Sequence, residues 1–139
     1  MNIIIPGPPI AQQRHRRKNI GGKIWDYDPL RTTKDNIGHL LKRHCPVIHE
    51  YANYFVIMTF YIPIPKSYSK KKRTQMFFQP CPKKPDIDNY AKFYLDAGNG
   101  ILWSDDAKIV DLTCKKIYSD NPRTEIYIGS CSNERCFTS

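Results

Sequence analysis

The chain has 139 residues, 40% hydrophobic and 25% charged, with a formal net charge of +9. That is enough for one domain with a real core and has the profile of a globular protein. No apolar run nears the ~20 residues of a membrane span, and MNIIIPGPPI meets proline too early for a signal peptide, which places the expected chain in the cell interior.

In chain order, NIII (2–5) reads as a short buried strand ended by Pro6-Gly7-Pro8-Pro9. Residues 11–29 are polar, basic and glycine-containing, a loop or mobile hairpin. Ile37, Leu40 and Leu41 stand at helical spacing in 31–45, with Thr32 or Thr33 as the expected cap and Pro46 as the stop. YFVIMTFYI (54–62) is β-branched and aromatic, so a central strand is expected. Residues 63–85 hold five prolines and form a long excursion; loops of that length are usually functional or mobile. A helix follows over 88–98, then strands over 108–118 and 123–128. We see no internal repeat and no domain boundary.

The positive charge is unevenly spread. RHRRK contributes Arg14, Arg16, Arg17 and Lys18; KKKR contributes Lys70, Lys71, Lys72 and Arg73; Lys83 and Lys84 follow. Both runs read as solvated loops. A basic surface attracts polyanions, nucleic acid most commonly. No basic amphipathic helix suits a membrane surface. The five cysteines lack CxxC spacing and suggest neither a zinc set nor a disulfide framework.

The acids gather in KKPDIDNYAKFYLDAGNGILWSDDAKI (83–109). On the helix, Tyr90, Phe93, Tyr94 and Ala97 share one face, and Asp88, Lys92 and Asp96 the opposite one. Asp88 suits a helix cap, and Asp86 lies two residues earlier, after Pro85. Gly98-Asn99-Gly100 permits a reversal that would return Asp105 and Asp106 towards the helix start. Converging carboxylates repel one another unless a divalent hard cation intervenes, and Mg²⁺ accepts carboxylate, water and phosphate oxygens. With a basic surface, this pattern suggests phosphodiester hydrolysis. The plainer possibility is a turn, a cap, and an ordinary Lys92–Asp96 pair on a solvated face. An EF-hand does not fit, because Ala91 and Ala97 stand where Gly and Glu are required.

These residues resemble the RusA family of Holliday junction endonucleases, often carried by bacteriophages and prophages. The resemblance rests on KPDIDNYAKFYLDAGNG and ILWSDDAKI, and extends to IIIPGPPIAQQRHRR and VDLTCKKIY. It implies an α+β domain over residues 1–128, a small mixed β-sheet packed with two main helices. Residues 129–139 remain as a flexible tail. By position it assigns Asp86, Asp88 and Asp106 to Mg²⁺, with Mn²⁺ able to substitute, and gives Lys92 a catalytic role. Asp96 and Asp105 match recurrent positions without a clear role. Tyr90 and Gly98 depart from the family pattern, which usually has leucine there. The resemblance further implies a homodimer acting on branched DNA, four-way junctions above all, inside a bacterial cell. No membrane or small-molecule cofactor is implied. Ala91 and Leu95, or residues 47–62, are candidates for the contact between copies.

Two other readings stay open. A PD-(D/E)xK nuclease would use Asp86, Asp106 and Lys108. A non-catalytic nucleic-acid-binding module would need only the basic runs.

Overall fold

The computed structural model describes residues 1–46 and 50–131. Its elements are β1 (Asn2–Pro6), β2 (Arg16–Ile20), β3 (Lys23–Tyr27), α1 (Arg31–His44), β4 (Tyr54–Pro63), α2 (Lys70–Met76), α3 (Ile87–Gly98), β5 (Ile109–Ser119) and β6 (Arg123–Ser130). Four strands form a mixed sheet in the order β1-β6-β4-β5. The β4–β5 pair is parallel, and the pairs of β6 with β1 and β4 are antiparallel. Strands β2 and β3 form a separate hairpin. This is the expected α+β domain.

Alternation builds the core. Val56, Met58 and Phe60 of β4 are fully buried, with Ile126 and Ile128 of β6 and Ile3 and Ile5 of β1 beside them. Against this face pack Leu41 of α1 and Phe93, Tyr94 and Ala97 of α3. Burying one such side chain contributes about 1.5–3 kcal/mol. The opposite sheet face leaves Ile4, Ile57 and Tyr127 exposed.

Both departures from the family pattern are packing solutions. Tyr90 is buried and stacks on Phe60, ring centroids 5.2 Å apart. Gly98 lies under the buried Trp103, whose Cζ2 would stand 2.9 Å from an added Cβ. Glycine there lets the indole close over the helix end.

The chain departs from expectation in several places. Helix α1 starts after Leu30, not from a threonine cap; Asp28 accepts the Leu30 N–H instead, at 3.0 Å. Of the two alternatives for residues 11–29 the hairpin is the one found, over 16–27, and its two-residue turn, Gly21-Gly22, has positive φ at both positions. KKKR is not loop but the start of α2, capped by Ser69 accepting from the Lys72 N–H. Strand β6 reaches Ser130, beyond 128; residues 132–139 of the expected tail, and 47–49 of the candidate contact, lie outside the described residues. Cys81 and Cys114 are free thiols, whereas Cys131 is disulfide-bonded, which the cysteine spacing did not suggest. Among the described residues no helix is long and apolar enough to cross a membrane.

Candidate active site

Helix α3 presents its charged face beside β5. Between them lies a groove of about 440 Å³ lined by Asp88, Lys92, Asp96 and Asp106, with Ile87, Ala91, Leu95, Leu112 and Cys114 as its apolar floor. Ala91 is itself buried in this floor, and Leu95 half-buried. Asp86 borders the adjoining hollow, which shares Ile87 and Cys114 with the groove.

Each carboxylate is held differently. Asp86, not Asp88, occupies the N-cap position of α3, and its side chain makes no capping bond. The segment before it is pinned by Lys116 of β5, whose ammonium donates to the carbonyls of Lys83 and of Pro85, the latter at 2.7 Å. Asp88, in the first turn, accepts its neighbour's N–H at 2.9 Å. The reversal after α3 has Gly100 at φ +76°, with its N–H donating to the Trp103 carbonyl. Asn99 then accepts the Asp106 N–H at 3.1 Å, so Asp106 is tied to the C-terminal end of α3 and not to its start. Asp105 spends its carboxylate on the Ala107 N–H, capping a one-turn 3₁₀ helix, Asp106–Lys108. That leaves the Asp106 carboxylate as the uncommitted member of the pair.

The convergence expected from the sequence is therefore partial. Asp88, Lys92 and Asp106 border one groove, Asp86 borders the next, and among the described residues no three His, Cys, Asp or Glu side chains are grouped closely enough to hold a metal together. The donor chemistry still fits Mg²⁺. It takes hard oxygen ligands and commonly binds through one or two carboxylates, its other positions filled by water and phosphate. Lys108 is not among the groove's lining residues.

Asp96 breaks the simple helix-face picture. It pairs with Lys34 of α1 at 3.1 Å, where the sequence suggested Lys92. Lys34 is buried and also binds Asp28 at 2.6 Å, and Gln12 donates to Asp28 at 3.0 Å. This network borders the larger cavity, about 700 Å³, between α1 and α3. That cavity lacks Asp86, Asp88 and Asp106, so the smaller groove is the candidate site. The sequence did carry a signal for Lys34. It stands three, four and seven residues before Ile37, Gly38 and Leu41, on the buried stripe of α1, where a cation requires partners.

Burial alone would raise the Asp28 carboxyl. The Lys34 ammonium, the Leu30 N–H and the Gln12 amide outweigh it and hold the group at about 2, below its ordinary 3.8. A depressed folded-state pKa stabilises above the unfolded value and is lost as pH falls from about 4 towards 2. The urea midpoint of Asp28→Asn should accordingly fall less steeply across that window than the wild-type midpoint. Parallel curves would mean that Asp28 ionisation does not stabilise the fold.

A family model described as endodeoxyribonuclease RusA matches residues 6–129. The chain belongs to the RusA endodeoxyribonuclease family. It is also similar to YqaN, an uncharacterised protein of Bacillus subtilis strain 168, with 33% identity over 138 residues covering 95% of this chain and 97% of that protein. RusA membership makes the chain a nuclease by family, acting on phosphodiester bonds. The groove between α3 and β5 falls within the matched region.

The basic side chains of this RusA-family protein have unequal surroundings. Arg16 and Lys18 are exposed on β2, whereas Arg17 sits across from Asp26 at 3.3 Å. On α2, Lys70 and Lys71 are exposed, and Lys72 lies 3.9 Å from the Tyr68 ring centroid. Lys83 donates to the Tyr68 hydroxyl at 2.9 Å, which holds that phenol below its usual range. Arg73 instead staples the excursion, donating to the carbonyls of Ile64 and Pro65 at 3.3 and 2.9 Å. Arg14, Lys83 and Lys84 are exposed.

Proposed function

We propose that this RusA-family protein is a Mg²⁺-dependent, structure-selective endodeoxyribonuclease that resolves four-way DNA junctions by paired symmetric strand cleavage. The observation that carries the reading is the groove lined by Asp88, Lys92 and Asp106, with Asp86 on the adjoining hollow, on a chain of net charge +9. Asp86, Asp88 and Asp106 would supply the carboxylates for the cation, with Mn²⁺ able to replace it. When bound, it supplies counter-charge to the phosphate and lowers the pKa of water. Lys92 sets its ammonium against the scissile phosphate or the leaving oxygen, where charge develops. Leu112 and Cys114 give the groove an apolar floor.

Paired nicks need two equivalent sites, which a two-fold homodimer provides. Ile57, within the 47–62 segment, is exposed beside Tyr127 and Ile4 and is the better-supported place for that contact, since Ala91 is buried within one chain. The decisive assay incubates the protein with a labelled four-way junction, a flap and a linear duplex, with and without Mg²⁺. Symmetric junction cleavage only with Mg²⁺ is expected. Equal cleavage of all three would remove the structural selectivity, and binding without cleavage would leave a nucleic-acid-binding module.

Arg14, Arg16, Arg17, Lys18, Lys70, Lys71, Lys72, Lys83 and Lys84 hold the DNA backbone. Neutralising Arg14, Arg16 and Lys18 together, or Lys70 and Lys71 together, should weaken binding to every DNA. The dependence of log K on log salt should become shallower by roughly one unit per lost phosphate contact. Circular dichroism should remain that of the wild type, because these side chains are exposed. Arg73 is excluded from this set because its carbonyl bonds hold the excursion. An unchanged salt slope in both variants would make the charges mere solvated surface.

A further inference from the structure

The register of the β2–β3 hairpin sorts its side chains into two unlike faces. Arg16–Tyr27, Lys18–Trp25 and Ile20–Lys23 face each other across one side; Arg17–Asp26 and Asn19–Ile24 occupy the other. Every pair on the first side joins a cation to an aromatic or aliphatic residue. Its Ile20, Trp25 and Tyr27 are 55%, 57% and 42% exposed. The hairpin's acid, Asp26, lies on the second side and is paired with Arg17. So much clustered apolar surface in water marks an interaction site. Cations interleaved with flat rings suit a polyanion that also offers flat apolar faces, which is nucleic acid with unstacked bases.

Both feet of the hairpin are tied to α3. The Gln12 N–H donates to the Asn89 carbonyl at 2.9 Å before β2. After β3, Asp28 reaches Asp96 through Lys34. Gln12 and Asp28 are themselves joined by the Gln12 amide. The foot of the hairpin is thus anchored to the helix that carries Asp88 and Lys92.

We propose that this face of the hairpin captures an unstacked base of branched DNA, Trp25 stacking on the base while Arg16, Lys18 and Lys23 take the flanking phosphates. The proposal rests on the nuclease reading of the groove and adds a binding element to it. Trp25 is itself the probe, because the other tryptophan, Trp103, is fully buried. Without divalent cation, the intact protein is titrated with a four-way junction, oligo-dT, linear duplex and phosphatidylserine vesicles. Emission should be quenched by the junction and by oligo-dT, and hardly by the duplex. Trp25→Ala should weaken junction affinity by roughly fivefold or more, the scale of losing one base–aromatic stack. Trp25→Phe should keep most of the affinity, and both variants should unfold at the wild-type temperature, since the site is exposed. Wild-type junction affinity in Trp25→Ala, with no quenching by the junction, overturns the stacking role but leaves the nuclease reading standing. A response to the vesicles alone overturns it in favour of a membrane surface. If the wild-type protein neither binds nor cleaves any DNA, the nuclease reading falls and this proposal with it.

Discussion

Replacing Asp86, Asp88 or Asp106 with asparagine is expected to abolish junction cleavage while junction binding stays at or above the wild-type level. Asparagine keeps the size of the side chain and removes its charge, so the change isolates the carboxylate. The fold should not notice. All three residues are exposed. Asp86 makes no capping bond, and the Asp106 tie to Asn99 runs through its backbone N–H. Asp88→Asn retains an amide oxygen for the Asn89 N–H that the carboxylate now accepts. What disappears is a hard anionic donor for Mg²⁺. A negative charge facing phosphate disappears too, and this is why affinity should hold or rise. Asp105→Asn is the internal control. Its carboxylate caps the short 3₁₀ turn, and an amide oxygen can accept that same N–H, so activity should fall far less than for Asp106→Asn. The measurement is single-turnover cleavage of a labelled junction, with affinity measured in parallel by anisotropy without cation. Wild-type cleavage by any of the three variants would remove that residue from the metal assignment, and loss of binding together with cleavage would mark a folding role instead.

The regular part of this architecture was legible because local and tertiary demands agree. Strand β4 alternates against a core, and α3 sorts its aromatics from its charges every turn, so each needs only its own pattern to be recognised. Helix α2 escaped because it buries no residue, and nothing periodic betrays it among the prolines. A Ser69 cap ahead of lysines and arginine was its available signal. At the site, Asp88 and Lys92 could be placed together because they lie one turn apart on one helix face, whereas Asp86, just before that helix, borders the adjoining hollow. Asp106 could be placed only approximately. Its position depends on the reversal at Asn99 and Gly100, and a helix terminator announces a turn without fixing its direction. The Asp28–Lys34–Asp96 network includes a bond between residues 62 apart in sequence, and long-range charge pairing has no local pattern. Local spacing offered Lys92 to Asp96; packing of α1 on α3 delivered Lys34 instead.

Lys92→Ala is expected to lower the single-turnover cleavage rate by about two orders of magnitude or more, the usual scale for losing one donor that acts in the transition state. Lys108→Ala should cost no more than about tenfold. Both lysines have a sequence argument. Lys92 stands one helical turn after Asp88, and Lys108 completes a D-x-K with Asp106, a spacing frequent by chance. The structure separates their surroundings. Lys92 is exposed on the α3 face and lines the same groove as Asp88 and Asp106. With Asp96 drawn to Lys34, its ammonium has no ion-pair partner among the described residues and is free to meet a phosphate. Lys108 closes the 3₁₀ turn, its N–H donating to the Asp105 carbonyl, and does not line the groove. Removing it should therefore act through weaker DNA contact, seen as a loss that saturating enzyme restores. Removing Lys92 should persist at saturation, because the chemical step itself is slower. A single-turnover series over enzyme concentration on a four-way junction distinguishes the two. A reversed order of effects at saturation would move the lysine role to Lys108, and with it the chemistry to the PD-(D/E)xK arrangement of Asp86, Asp106 and Lys108.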